Sequence, residues 1–494
     1  MTTESVEVRP AAARRRHLAL ERPAWLTGTV LLVLGCLGLA GLSLLRPSTP
    51  TYDPWAWLIW GREVVHLDLS TVGGPSWKPL PVLFTAPFSL LGDAAPDLWL
   101  VIARAGGLLA LAMAFRLGRR LAGGPWGWVA GVTAALALLT STGYIRAVWP
   151  GNSEGLLIAL LLWAIDSHLG GRRERAFLLG AFAALLRPET WPFLGLYGLW
   201  LAWREPRTRR LVIGTVLAVL ALWFLPELWG SGQLLRAAER ANNPDPQSPA
   251  FAAHPAQEVV KRYGAAISWP VFGLAGLGVG AALVRVGKDA VMVWLVIGAG
   301  AWLGLVALMT QAGYSGNPRY LMPVTAIACV LAGVGVGRVM ESFAGLLRAR
   351  RPVLPDSATP ASPGVPGSAS VRAAIGLALV IVVGVAAYDR PQLDADLIGL
   401  RIEAHLGDQL DGAVARAGGA KAVLACGEPF TGAYQVPALA WRLDVHTIRV
   451  GLLPHPPAVV FRADRSARMP AVPAQPPYRL MASSGRWHVY GDCR

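Results

Sequence analysis

Apolar residues come in blocks of membrane-crossing length, and polar residues fill the gaps between them. The blocks are Trp25 to Leu45, Leu98 to Leu117, Trp126 to Tyr144, Leu156 to Leu169, Leu211 to Trp229, Ile267 to Val286, Val291 to Met309, Leu321 to Val339 and Ala373 to Tyr388. Each predicts a helix crossing a hydrocarbon core of about 30 Å. One stretch has another pattern. Ala176 to Trp203 is apolar but broken at Arg187-Pro188-Glu189, and two pieces of about twelve residues are too short for both to span. The expectation there is a re-entrant helical hairpin, entering and leaving on one side and turning at Arg187 to Glu189. The predicted fold class is a polytopic α-helical membrane protein with about nine full spans plus that hairpin.

Two segments depart from the spanning pattern. In Thr51 to Leu91, Asp53-Pro54 reads as a helix cap followed by Pro, and Trp55, Leu58, Ile59 and Arg62 follow at helical spacing. That predicts a short amphipathic helix at the membrane surface. Lys78-Pro79-Leu80-Pro81 then separates one segment from the next, since each Pro bars helix from the residue before it. After the last span, VLACGEPF, VHTIRV, PAVVFRA and RWHVYGDC read as short strands between Pro-rich turns, which predicts a small α/β domain. The organisation expected is a basic N-terminus over 1–23, a transmembrane module over 24–345, a Pro/Ser-rich cytoplasmic linker over 346–371, a last helix over 372–388 and a C-terminal domain over 389–494.

The composition, 54% hydrophobic and 15% charged with mean hydropathy +0.45 over 494 residues, agrees with a membrane class. A net charge of +15 in a soluble domain would suggest nucleic acid. Here the charge lies in Arg clusters between apolar blocks: Arg116/Arg119/Arg120, Arg172/Arg173/Arg175, Arg204 to Arg210, Arg285/Lys288 and Arg348/Arg350/Arg351. The positive-inside rule places these in the cytoplasm, with an N-terminal signal anchor whose own N-terminus is inside. The C-terminal domain then falls outside, in a cell (plasma) membrane. Cys36 and Cys329 lie in apolar blocks as packing residues, while Cys426 and Cys493 lie in the exported tail and could pair.

The remaining loops fall outside: Thr51 to Pro96, Ile145 to Gly155, Gly230 to Ala265 and Thr310 to Tyr320. They hold Asp53, Lys78, Glu154 and Arg319. A first outer loop opening with Asp beside an aromatic, a second with an acid, a helix pair broken at RPE and a late outer RY before a span resemble the GT-C membrane glycosyltransferases over roughly residues 25 to 340. Where many members carry a D-D or D-E pair in the first loop, this chain has Asp53-Pro54. The resemblance implies a donor sugar on a polyprenyl phosphate and an extracytoplasmic glycan, lipid or protein acceptor. The Ala/Gly/Arg-rich, Lys-poor composition suggests a high-GC bacterium, so an actinobacterial-type mannosyltransferase, or transfer of a pentose such as arabinose, is the subtype expected.

Such transfer requires a base for the acceptor hydroxyl and cations for the departing phosphate. Asp53 is the candidate general base; its other reading is a helix cap. Glu154 is the second carboxylate, orienting the acceptor or joining Asp53 on a divalent cation (Mg or Mn), or else a first-turn acid favoured by the helix dipole. Arg319 before Tyr320 suits bidentate phosphate binding, against a snorkelling interfacial Arg, and Lys78 is a further phosphate candidate, against a solvated loop charge. Arg187 and Glu189 are expected to partner each other or a polar ligand, and His66 to be a supporting interfacial residue. Trp55, Trp57 and Trp77 are candidates to stack on sugar faces. A transporter or flippase of a lipid-linked or polyanionic substrate is the alternative, but it would place polar residues near midplane in repeated halves, and no internal repeat is evident.

Overall fold

The computed structural model describes residues 24–284, 290–349, 368–464 and 473–493. The basic N-terminus, most of the predicted linker, the Arg285/Lys288 loop and Arg350/Arg351 lie outside the described residues. The chain opens with α1 (Ala24–Ser43), the Trp-rich α2 (Tyr52–Val65), α3 (Pro79–Ser89), α4 (Ala95–Ala122), α5 (Gly127–Thr140), the short α6 (Tyr144–Val148) and α7 (Glu154–Leu169). It continues through α8 (Arg173–Ala184), α9 (Trp191–Arg204), α10 (Arg209–Ser231), α11 (Arg236–Ala241), α12 (Pro255–Ala266) and α13 (Trp269–Val284). Then come α14 (Ala290–Gln311), α15 (Met322–Ala349), α16 (Ser368–Arg416), α17 (Gly419–Cys426) and α18 (Val436–Leu443).

Each apolar block contributes a helix, yet among the described residues only α4, α10, α14 and α15 are by themselves long and apolar enough to cross a membrane. Two bent pairs, α12 with α13 at 99° and the two halves of α16 at 44°, bring the number up to six if each pair counts as one span. Nine full spans are therefore not evident by length. At 14 and 16 residues, α5 and α7 are roughly 21 and 24 Å long. Both pack on α4 and α15, so protein rather than lipid surrounds much of their backbone. α15 is the axis of the bundle. A Cβ at Gly333 would sit 2.2 Å from the Ala130 carbonyl oxygen and one at Gly335 2.1 Å from that of Leu274. Small residues let α15 approach α5 and α13 this closely, and such packing drives helix association where lipid removes the hydrophobic incentive.

The bundle has two unlike poles. At one, Arg116 and Arg120 hold the buried Asp166 at 2.9 Å each, and Arg173 pairs with Glu205 at 3.0 Å. The other gathers the start of α2, the start of α7, the α8–α9 turn and the segment before α15. The hairpin takes its shape from Pro188, which holds Arg187 extended (φ −148°, ψ 124°) and ends α8. The last carbonyls of α8 are satisfied by the indole N–H groups of Trp191 (3.2 Å) and Trp223 (2.9 Å) and by the Leu80 amide (3.2 Å). The Arg173–Glu205 pair ties the hairpin's two ends together. Its turn reaches the pole where α7 begins, because Arg187 meets Glu154 at the first residue of α7. The short helix α7 sets the depth, and α8 matches it.

α2 is not a surface helix. Asp53 to Gly61 is buried without interruption. One side packs on α3 and the bundle and the other on α18. The helix begins at Tyr52 with Thr51 before it, so Asp53 lies in the first turn rather than at the cap.

Beyond the bundle, α16, α17, α18 and a four-stranded sheet form the C-terminal domain. β1 (Glu428–Phe430) runs parallel to β2 (Ala458–Ala463); β4 (Trp487–Asp492) is antiparallel to β2 and to the remaining strand, β3 (Arg479–Ser484). PAVVFRA and RWHVYGDC give β2 and β4, but VHTIRV forms a 3₁₀ turn, Thr447–Arg449. Cys426, ending α17, is disulfide-bonded to Cys493 after β4. This domain is no appendage. Trp441 packs on Trp55 at 5.9 Å, Arg442 lies 5.0 Å over the same Trp55 ring, and Arg62 pairs with Asp444 at 2.5 Å. His446 bridges Glu63 at 2.7 Å and Asp68 at 3.2 Å.

Candidate functional site

The start of α2 is tied to the loop before α7. The Thr51 amide donates to the Pro150 carbonyl at 3.1 Å, and the Thr51 hydroxyl to Asn152 Oδ1 at 3.2 Å. This brings Asp53 beside Glu154, from a segment about a hundred residues later. Arg319 arrives on a 3₁₀ turn, Pro318–Leu321, where Asn317 Oδ1 accepts the Arg319 amide at 3.1 Å. Its guanidinium donates to Asp53 Oδ2 at 2.8 Å, and its Nε lies 3.9 Å from Glu154. Lys78, the residue before α3, places its ammonium 3.7 Å from Asp53 Oδ2 and 5.0 Å over the Trp57 ring, and donates to Ser153 Oγ at 3.5 Å.

Behind this row lies a second. Arg187 is ion-paired with Glu154, lies 3.8 Å from Glu189 and stacks 4.1 Å over the Tyr320 ring. Glu189 accepts the Tyr314 hydroxyl at 2.9 Å. Three cations and three carboxylates thus share one buried cluster, though Glu154 Oε2, Glu189 Oε2, Arg187 Nε and Arg319 Nε are buried there without a hydrogen-bond partner. Such orphaned polar atoms are uncommon in a finished core, and their concentration here sets this cluster apart from ordinary packing.

Burial pushes the Asp53 carboxyl up, but Arg319, Lys78 and Arg187 outweigh it and leave it below its usual range. The Lys78 ammonium goes the other way. Burial, then the neighbouring Arg187, bring it down to about 7 against the opposing pull of Asp53.

Asp53, Lys78, Arg187, Arg319 and Tyr320 line one wall of a cavity of about 960 Å³. Trp191, Phe224, Leu234, Leu235 and Met309 give it an apolar side. Glu154 and Glu189 do not line it; they sit behind Arg187 and Arg319 and fix those guanidinium groups. Of the three tryptophans expected to stack on sugars, only Trp77 reaches the cavity, its indole N–H donating to the Leu222 carbonyl at 3.0 Å. Trp55 is turned toward Trp441, and Trp57 is sealed edge-on against Trp99 at 5.4 Å. His66 is exposed on the far end of α2, its Nδ1 2.8 Å from its own helix's Arg62 carbonyl. It is not part of the site.

Asp53 and Glu154 both face arginine in this site. Each carboxylate is engaged by arginine, and among the described residues no group of three or more His, Cys, Asp or Glu side chains converges. A magnesium-like ion asks for six oxygen ligands in near-octahedral array, while Arg187, Arg319 and Lys78 already supply positive charge here.

Sequence reading missed Tyr314, although it lies in the outer stretch TQAGYSGNPRY that supplied Arg319. It also missed Tyr52, Arg240 and Tyr434, which line the cavity too. Nothing local marks Tyr434.

The same architecture occurs in two crystal structures of ArnT from Cupriavidus metallidurans, one bound to undecaprenyl phosphate and one in the apo state. Each aligns at a TM-score of 0.56 over 94% of this chain and 98% of that chain, with 15% and 16% sequence identity respectively. No protein-family model matches the chain, and no curated protein matches it. At this identity the likeness is one of fold.

Proposed function

We propose, starting from a multi-pass chain with the fold of ArnT, that this protein is a GT-C glycosyltransferase that moves a sugar from a polyprenyl phosphate to an extracytoplasmic acceptor. The observation that carries the reading is a single cavity in which a carboxylate, Asp53, adjoins two cations able to hold a phosphate, Arg319 and Lys78, beside an apolar side suited to an isoprenoid. That one of the ArnT structures holds undecaprenyl phosphate supports the donor class.

The chemistry follows from the residues. The acceptor hydroxyl gives its proton to Asp53 while its oxygen bonds the anomeric carbon from the face opposite the phosphate. The bond from that carbon to the phosphate oxygen breaks, the electron pair leaves with the polyprenyl phosphate, and configuration inverts. Arg319, bidentate, and Lys78 stabilise the leaving anion. Asp53 paired with Arg319 is a poor base, so the donor phosphate acts twice: by drawing Arg319 onto itself it loosens the ion pair and lets the Asp53 carboxyl rise. Hexose and pentose donors both fit the reading, mannose and arabinose among them. A transfer assay with a panel of polyprenyl-phosphate sugars in membranes holding the protein tests it; no transfer from any of them in folded protein overturns it.

Two consequences are measurable at once. The donor phosphodiester keeps its single negative charge across neutral pH, whereas Lys78 loses its proton as pH rises through about 7. Donor affinity is expected to be highest below pH 7 and to fall above it, by up to about tenfold per pH unit. Equilibrium donor binding at pH 6, 7 and 8 checks this. Lys78→Arg, charged throughout, should flatten the profile, and an unchanged slope in that variant would exclude Lys78.

The second consequence is topological. In this reading the site pole faces outward and the Arg116–Asp166 pole faces the cytoplasm, with α1, α5, α7 and α13 spanning as well. Both Gln247 and Arg207 are exposed. A cysteine at Gln247 should react with an impermeant maleimide on intact cells, and one at Arg207 only after permeabilisation. The reverse pattern would invert the scheme.

A further inference from the structure

We infer that the acceptor is a saccharide and that the C-terminal domain binds it, with Tyr434 as the aromatic platform for a sugar ring at the cavity mouth. The inference rests on the transferase reading above and selects among its acceptor classes.

At about 960 Å³ the cavity lies near the upper end of sites for a single drug-sized ligand, so there is room for two substrates side by side. The phosphate-holding groups, Arg319 and Lys78, occupy one wall. Tyr434, Arg240, Asn242, Asp245 and Gln247 also line the cavity. The latter four are side chains that hydrogen-bond to vicinal hydroxyls, with both donors and acceptors among them. Alone, they would suit any polar ligand.

Tyr434 adds the apolar half of the recognition. It is 70% exposed on a 3₁₀ turn, Ala433–Gln435, although the helix that follows it is largely buried. An open aromatic face next to hydrogen-bonding side chains matches a pyranose or furanose ring, which shows C–H groups on its face and hydroxyls at its edge.

The placement is also rigid. Tyr434 lies two residues before the start of α18, which is clamped on α2 through Trp441, Arg442 and Asp444. The first turn of α2 carries Asp53, and its neighbour Tyr52 lies beside Arg240, both of them lining the cavity. One packed unit therefore holds the platform, the hydrogen-bonding side and the proposed base in register. An acceptor ring on Tyr434 would sit in the same cavity that Asp53 lines.

The test uses the full-length protein in detergent, with two readouts: binding to a printed array of α- and β-linked hexose and pentose oligomers, and binding of undecaprenyl phosphate. The wild type is expected to bind a subset of the oligosaccharides. Tyr434→Ala should weaken that binding roughly three- to tenfold, with Tyr434→Phe and Tyr434→Trp retaining it and donor-lipid affinity unchanged in all three. Oligosaccharide binding by Tyr434→Ala equal to wild type, or no array binding by a wild type that binds the lipid, overturns the inference while leaving the transferase reading in place. Failure to bind the lipid strikes the transferase reading itself.

Discussion

Asp53→Asn is expected to lower sugar transfer by about 10²- to 10⁴-fold in purified, folded protein. Asn keeps the size of the side chain and still accepts a hydrogen bond from Arg319, so the first turn of α2 should hold its place. What it loses is the ability to take a proton. The variant also frees Arg319 and Lys78 from a carboxylate that competes with the donor phosphate for them, at 2.8 and 3.7 Å in the wild-type site. Donor affinity should therefore be equal or tighter while turnover collapses, a combination that simple misfolding would not give. Transfer within a few-fold of wild type would show that Asp53 only anchors Arg319, and the search for a base would have to move to another carboxylate.

The largest effect on stability is expected from Arg187→Met. Arg187 is 3% exposed and is the principal counter-charge of Glu154 and a neighbour of Glu189, both buried. Removing it leaves buried carboxylates without their partner, a change that costs about 3–5 kcal/mol in well-studied cases. The apparent melting temperature in detergent should fall by several degrees, and adding Glu154→Gln and Glu189→Gln to the same chain should restore part of the loss. If Arg187→Met melts with the wild type, the two rows of charge are not coupled as the geometry implies. Because Arg187 also stacks on Tyr320, beside Arg319, the variant should misplace the phosphate clamp as well.

The apolar blocks were legible because helical packing in a membrane depends on local chain chemistry: α1, α4, α10, α14 and α15 lie where long apolar runs lie. The hairpin was legible from Pro188, a local device, but its depth was not. That depends on Arg187 finding Glu154 on a different helix. Likewise the juxtaposition of Asp53 and Arg319 bridges 266 positions and follows from topology. Only their shared side of the membrane could be read from charge and spacing.

The misreadings have a common origin in distant partners. α2 carries Asp53, Arg62 and Glu63 among its tryptophans, a composition that suits an interface when taken alone. It is buried because α18, nearly four hundred residues later, covers it. VHTIRV alternates like a strand, yet His446 is drawn to Glu63 and Asp68 and the segment turns instead. β3 was missed since RLMASS, with its exposed Leu480 and Met481, carries little strand signature, and its pairing with β4 supplies the order.

The α2–α18 clamp also bears on how such chains can be recombined. Grafting residues 389–494 from another protein of this fold would strand Trp55, Arg62 and Glu63 against foreign side chains, two of them charged groups whose partners Asp444 and His446 come from the graft. A chimera that carries Thr51 to Leu91 together with its own C-terminal domain would keep those pairs matched. The clamp thus ties two separated pieces of the chain into one unit, and an exchange between proteins of this fold has to move both.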